Sequence, residues 1–254
     1  MMAKQQIIFG LHSLQEALDA GENFEKVMMR KELDNEQARR LQSALRKARI
    51  PVQYVPAQRL DRITRKNHQG VVAFISPIEY TDVEMLIPKL FDEGKSPFLL
   101  ILDGVTDVRN FGSICRTAEC AGVDAVIVPN KGAAQISADA IKTSAGALSH
   151  IPVCRADSLG RTIDYLKDSG LTIVAASEKT TAFHFNFDFT APLALILGSE
   201  DKGISGSLMA KADAGIRIPI NGKINSLNVS NAAAIIVYEA VRQRMINNGN
   251  QGVD

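Results

Sequence analysis

Four runs in the later two-thirds of the chain, FLLILD (98–103), AVIV (125–128), LTIVAA (171–176) and LALILG (193–198), are apolar almost throughout and show no alternation with polar residues. A strand with one wet face alternates, whereas a strand that is apolar at nearly every position has to be covered on both faces. Where helical stretches separate such strands, the outcome is a parallel sheet between two layers of helix. The intervening text fits: GSICRTAECAG, ADAIKTSAG and LGRTIDYLKDSG read as helices, PVCR and IRIPI as further strands, and NVSNAAAIIVYEAVRQRMI as a closing helix. The expectation is a doubly wound α/β domain over residues 97–248, with a frayed polar tail over 249–254.

The first 76 residues read as a smaller α/β unit: helices at LHSLQEALDAG, NEQARRLQSALRKARI and AQRLDRIT, and strands at EKVMMR, PVQYV and VVAFI. Between the two, residues 77–96 carry Pro77, Pro88 and Gly94 around one amphipathic stretch and read as a linker. The formal charge of the whole chain is only +1, yet Met1–Ile75 holds 13 Lys and Arg against 8 Asp and Glu. A basic excess of this kind suits a nucleic-acid contact and a set of solvated helix faces equally well. The 3 cysteines lack CxxC spacing and a histidine cluster, which argues against a disulfide framework or a metal site. Without an apolar run of roughly 18–20 residues no membrane span is expected, and a soluble protein of the reducing cytoplasm fits best.

In an open parallel sheet, ligands bind beyond the carboxyl ends of the strands. Three polar segments stand there. In LDGVTDVRNFGSICRTAE, Asn110 and Gly112 read as turn residues and Arg116 falls in the helix that follows, where free N–H groups and a guanidinium could receive an anion. LALILGSEDKGIS places Gly198, Glu200 and Gly203 after a strand; Lys202 precedes its glycine, so this is no phosphate loop, and no strand end carries the GxGxxG of dinucleotide folds. IRIPINGKINSLNVSNAAAI crowds Asn and Ser between Ile218 and Leu227, as would suit a flat ligand held by backbone groups between aliphatic side chains. Singly, each segment reads equally as a helix cap, a β-turn or a structural ion pair.

Together, and in this order, the three segments resemble the signature motifs of the SpoU (TrmH-type) RNA ribose 2′-O-methyltransferases of the SPOUT superfamily. FGLHSLQEAL and NHQGVVA are similar to the substrate-binding domain, related to ribosomal protein L30e, of that family's bacterial 23S rRNA guanosine methyltransferases. The resemblance implies a C-terminal SPOUT domain threaded as a trefoil knot behind a small L30e-like domain, S-adenosylmethionine as cofactor, structured RNA as substrate, and a homodimer with active sites at the subunit interface. It implies cofactor contacts at Ala176, Gly198, Gly203, Ile218 and Leu227, and a reaction site made of Asn110, Arg116, Glu200, Ser226 and Asn228. On this reading Arg116 clamps an RNA phosphate and orients the 2′-hydroxyl, a phosphate oxygen or Glu200 takes the proton, and Asn110 holds Arg116 or the ribose. Ser226 and Asn228 hydrogen-bond at the nucleotide. His12, His68, His150 and His184 all lie outside the motifs. Phosphate contacts in the N-terminal unit are expected from Arg39, Arg46 and Arg49, near one another at helical spacing. A tRNA target is the alternative substrate, and an RNA-binding or ribosome-assembly protein of the same fold the non-catalytic one.

Overall fold

The computed structural model describes residues 6–247 and Gly249. The chain divides into two compact units, one running to Glu79 and including Gln135–Ala138, the other holding Tyr80–Ala134 and the chain from Asp139 onward.

The first unit contains β1 (Ile7–Phe9), α1 (Leu11–Asp19), β2 (Phe24–Arg30), α2 (Glu36–Lys47), β3 (Val52–Val55), α3 (Ala57–Asp61) and β4 (Val71–Ile75). Its sheet has the order β1-β4-β2-β3, with β4 antiparallel to both neighbours and β2 parallel to β3. Helix α2 begins where the Asn35 side chain accepts from the Ala38 N–H, and it turns Ala38, Leu41 and Leu45 inward, one or two turns apart, onto Val27, Met29 and Ala73. On the other sheet face, Met28, Val55, Leu60 and Val72 form a smaller cluster under α3. The NHQG stretch closes this unit locally. Gln69 and Gly70 take φ of 51° and 81°, His68 accepts from the Gly70 N–H through Nδ1, and the Gln69 side chain accepts from the Leu11 N–H at the start of α1.

The second unit contains β5 (Tyr80–Thr81), α4 (Val83–Asp92), β6 (Phe98–Asp103), α5 (Val108–Cys120), β7 (Ala125–Pro129), α6 (Ala138–Thr143) apart from its first residue, β8 (Val153–Ala156), α7 (Leu159–Asp168), β9 (Thr172–Ala176), β10 (Ala182–Phe183), β11 (Leu193–Gly198), α8 (Gly206–Met209), β12 (Ala214–Arg217) and α9 (Val229–Asn247). Eight strands form one sheet, β10-β12-β9-β11-β6-β7-β8-β5, parallel at every pairing. The order runs outward from β6 to β7 and β8 on one side and from β11 to β9 on the other, so the reversal of direction lies between β6 and β11. A crevice opens at such a point beyond the strand ends. The apolar runs are covered as their composition demands: Leu99, Ile101, Ala194 and Ile196 are buried against Ile87 and Leu90 of α4 and Ile163 and Leu166 of α7.

Of the stretch read as a linker, 77–96, the part from Tyr80 onward is built into this unit and forms the edge strand β5 and the helix α4. Pro88, read as punctuation, lies inside α4, where its missing N–H leaves the Glu84 carbonyl without its usual helical donor. The Tyr165 hydroxyl donates to that carbonyl at 3.2 Å. The tail read over 249–254 lies, Gly249 excepted, outside the described residues.

Candidate active site at the switch point

Helix α5 starts one turn earlier than its sequence suggests. The Asp107 carboxylate accepts from the Arg109 and Asn110 N–H groups at 2.8 and 3.1 Å and so begins the helix. Those same bonds, that of Asn110 foremost, hold the Asp107 carboxyl below the ordinary range. Asn110 and Gly112 are therefore helical and do not sit in a turn. Gly112 is required by packing: a Cβ there would lie 2.8 Å from Thr143 Cβ and 3.0 Å from the Ala140 carbonyl oxygen.

The turn after β11 folds back on itself. Ser199 and Gly203 exchange backbone hydrogen bonds of 3.2 and 2.8 Å, and Gly203 takes a φ of 66°. The returning backbone crosses so near Gly198 that a Cβ on that residue would stand 2.1 Å from the Gly203 carbonyl carbon. It is thus the chain's own backbone that demands a glycine here. Beyond the turn, the Ser205 N–H donates to Asp103 at the end of β6 at 2.7 Å, tying the loop across the switch point.

The third segment supplies Asn228, which caps α9. Its Oδ1 accepts from the Ser230 N–H at 2.9 Å and the Ser230 hydroxyl at 2.6 Å. Its Nδ2 donates to Asn110 Oδ1 at 3.1 Å and to Glu200 Oε1, and Asn110 Nδ2 donates to the same Glu200 oxygen at 2.9 Å. One residue from each segment thus meets in a closed triangle. Asn228 spends both amide hydrogens and its oxygen inside the chain, so it positions Glu200 and has no donor left for a nucleotide. Glu200 keeps Oε2, which accepts from no donor among the described residues.

Arg116 stands apart from the triangle. Six residues beyond Asn110, it lies roughly 120° around the helix and roughly 9 Å along it. Its side chain is exposed and makes no hydrogen bond or ion pair among the described residues. Asn110 therefore holds Glu200, and not Arg116, within this chain.

Ala176, Gly198, Gly203, Ile218 and Leu227, from three different connections, all line one open cleft. Leu197, Ile216, Val229 and Ile236 add apolar walls, and Ser177, Glu178 and Ser226 polar ones. Two missed contributors, Ile220 and Val229, had an available signal: each is an apolar residue beside the Asn-rich loop. A second cleft, lined by Gly104, Thr106, Asp107 and Asn110, shares Ser199, Glu200, Asp201, Lys202 and Val229 with the first. Glu200 and its loop therefore stand between the two. The cysteines take no part: Cys115 is buried, and burial, with the Asp82 charge adding to it, pushes the Cys154 thiol up to about 12.

Of the expected phosphate-binding arginines in the first unit, Arg39 is held by Asp34 through two bonds of 2.6 and 3.0 Å. Arg49 takes a left-handed φ of 55° where α2 ends and is already engaged within the chain. Arg46 is exposed in the last turn of α2. Among the described residues, no group of three or more His, Cys, Asp or Glu could hold a metal ion, and no helix is long and apolar enough to cross a membrane.

Comparison with known proteins bears on both units. Residues 97–238 match the model of the SpoU rRNA Methylase family, and residues 7–81 match that of the RNA 2′-O ribose methyltransferase substrate binding domain. The chain is 37% identical over 238 residues to a protein of Staphylococcus saprophyticus named as a TrmH family tRNA/rRNA methyltransferase, covering 94% of this chain and 96% of that one. Among solved structures it is similar to the SpoU methyltransferase AviRb of Streptomyces viridochromogenes in complex with AdoMet, at a TM-score of 0.61 and 28% identity over 95% of this chain and 91% of the other. It is likewise similar to an AdoMet-bound rRNA methyltransferase of Sinorhizobium meliloti, at a TM-score of 0.60 and 26% identity over 93% and 86% of the two chains.

Proposed function

The chain belongs to the SpoU rRNA methylase family and is an S-adenosylmethionine-dependent RNA 2′-O-methyltransferase, and on that premise we propose that its target is a guanosine ribose of 23S rRNA. The observation that carries the site assignment is the Asn110–Glu200–Asn228 triangle, which joins three segments far apart in sequence at the boundary between two clefts.

The larger cleft fits the cofactor. Leu227 and Ile220 are 39% and 37% exposed, large apolar side chains on a loop that the fold itself leaves uncovered, and they face the apolar ends of β9, β11 and β12. A flat adenosyl group between them would bury that surface, with backbone groups of the 198–203 turn at its edge. When bound, S-adenosylmethionine supplies an activated methyl group and needs no further activation from the protein. What the chain must supply is orientation of the ribose hydroxyl and a path for its proton.

Glu200, fixed through Oε1, keeps Oε2 free to orient or receive the hydroxyl proton. Arg116 presents a planar fork of donors that matches two phosphate oxygens and so acts as a clamp for the phosphate beside that ribose. Because it makes no hydrogen bond to its own triangle, it is assigned to the site of a second subunit. Helix α9 offers a surface for that subunit: Ile235, Tyr238 and Met245 are exposed and recur at a spacing of three and seven residues, on the face away from buried Ile236, Val237 and Ala240. The reading includes the trefoil knot and the L30e-like character of the N-terminal unit, both of which follow from the family likeness.

Mass-spectrometric mapping of 2′-O-methyl groups in RNA from cells lacking the protein tests the substrate. The expected result is the loss of one methyl from a 23S rRNA guanosine, restored by the wild-type chain. Loss of a methyl from tRNA with rRNA unchanged would assign the other substrate.

A further inference from the structure

The N-terminal unit carries a cluster of unpaired positive charge on a surface other than the one its sequence suggests. On α2, Arg39 is paired with Asp34 and Arg40 with Glu36, which leaves Arg46 and Lys47 in its last turn. Around α3 the situation is reversed. Arg59, Arg62 and Arg65 make no side-chain hydrogen bond or ion pair among the described residues, and Asp61, the carboxylate within that run, is taken up by His68 at 2.9 Å. These residues border the sheet face that the short α3 covers only in part, the face bearing Ile7, Phe9, Met28, Val72 and Phe74.

Phe9 and Phe74 lie half-buried on that face with their rings capped by cations. Lys66 Nζ is 5.6 Å from the centre of the Phe9 ring and Lys26 Nζ is 5.0 Å from that of Phe74. Burial pulls the Lys26 ammonium below its ordinary range, with Glu25 opposing and the Arg59 charge adding to the effect. Arg30 follows Lys26 and Met28 at strand spacing and so projects on this side; its Nε is buried without a partner.

Rings flanked by lysine side chains suit a particular ligand. An unpaired nucleotide can lay its base on the ring while the displaced lysine turns to the adjoining phosphate; a duplex hides its base faces and offers phosphate alone. We propose that the α3 side of this sheet, through Phe9, Phe74, Lys26, Lys66 and the arginines at 59, 62 and 65, is the surface that grips unpaired nucleotides of the substrate RNA, and that α2 is not. This rests on RNA being the substrate.

The test is fluorescence anisotropy on the full chain with a labelled single-stranded RNA of about 12 nucleotides and a duplex of equal length. Wild type should prefer the single strand. Phe9→Leu with Phe74→Leu should weaken single-strand binding about tenfold and leave duplex binding unchanged. The surface triple Arg59→Gln, Arg62→Gln, Arg65→Gln should weaken both and lower the slope of log affinity against log salt by about 2. Arg39→Gln, Arg40→Gln, Arg46→Gln should stay within about twofold of wild type. Wild-type affinity in the sheet-face variants, or a loss confined to the α2 triple, would overturn the proposal. Titration of each variant with S-adenosylmethionine should match wild type. A shared loss there marks misfolding of the leucine variant, for which the surface triple then decides. Failure of wild type itself to bind cofactor would count against the catalytic reading and leave the RNA-face result independent.

Discussion

Replacing Arg116 with alanine should lower methyl transfer about 100-fold or more while leaving S-adenosylmethionine affinity and thermal stability at wild-type values. The separation follows from its position: Arg116 is exposed, bonds to no described residue and does not line the cofactor cleft, so the free protein loses nothing with it. The transition state loses a fork of donors aimed at phosphate. Arg116→Lys should fall between, because a lysine keeps the charge but cannot engage two phosphate oxygens at fixed geometry. Single-turnover rates beside calorimetric cofactor titration make the comparison, and near-normal turnover by the alanine variant would remove Arg116 from the reaction.

Gly198→Ala should do the opposite, damaging cofactor binding and fold together. The added Cβ would meet the Gly203 carbonyl carbon at 2.1 Å and the Ile204 nitrogen at 2.3 Å, and both are backbone atoms that no rotamer change can move aside. The 199–204 turn must shift, and with it Glu200, a wall of the cofactor cleft and the link from Ser205 to Asp103. We expect a loss of about 3 kcal/mol in stability and a fall of at least about 30-fold in cofactor affinity. Gly206→Ala is the control: a Cβ there meets nothing within 4 Å, and it should be neutral in urea unfolding and in titration. Cofactor affinity within twofold of wild type for Gly198→Ala would contradict the tight return of the turn.

The sheet could be read from the chain because strands covered on both faces must be apolar throughout, and FLLILD and LALILG lie side by side as β6 and β11. The two-residue strands β5 and β10 exist only through their partners and leave no periodic trace. Residues 77–96 looked like a linker because proline inside a helix normally ends it; the compensating hydroxyl comes from Tyr165, 81 positions beyond the carbonyl it satisfies. The same kind of error moved the start of α5. Gly112 suggested a turn, but its glycine is dictated by the closeness of Thr143 on another element, and Asp107 was the cap.

In the site, five cofactor positions taken from the family likeness fall along one cleft. The contacts inside the triangle were not legible, since an asparagine at a helix start reads as a cap. Asn228 is indeed a cap, and the same amide also anchors Glu200. In the N-terminal unit the charge pattern did not show the pairing on α2: Arg39 and Arg40 look free until Asp34 and Glu36 are seen beside them, while Arg46 stays exposed.

The central claim is that the Glu200 triangle of one subunit works with Arg116 of another. Co-expressing Arg116→Ala chains with Glu200→Gln chains, each inactive as a homodimer, tests it directly. If the two groups act across the interface, every mixed dimer regains one intact site, and random pairing should restore about a quarter of wild-type activity. If Arg116 serves the site of its own chain, each mixed dimer carries one defect in both sites, and activity should stay at the level of the single variants.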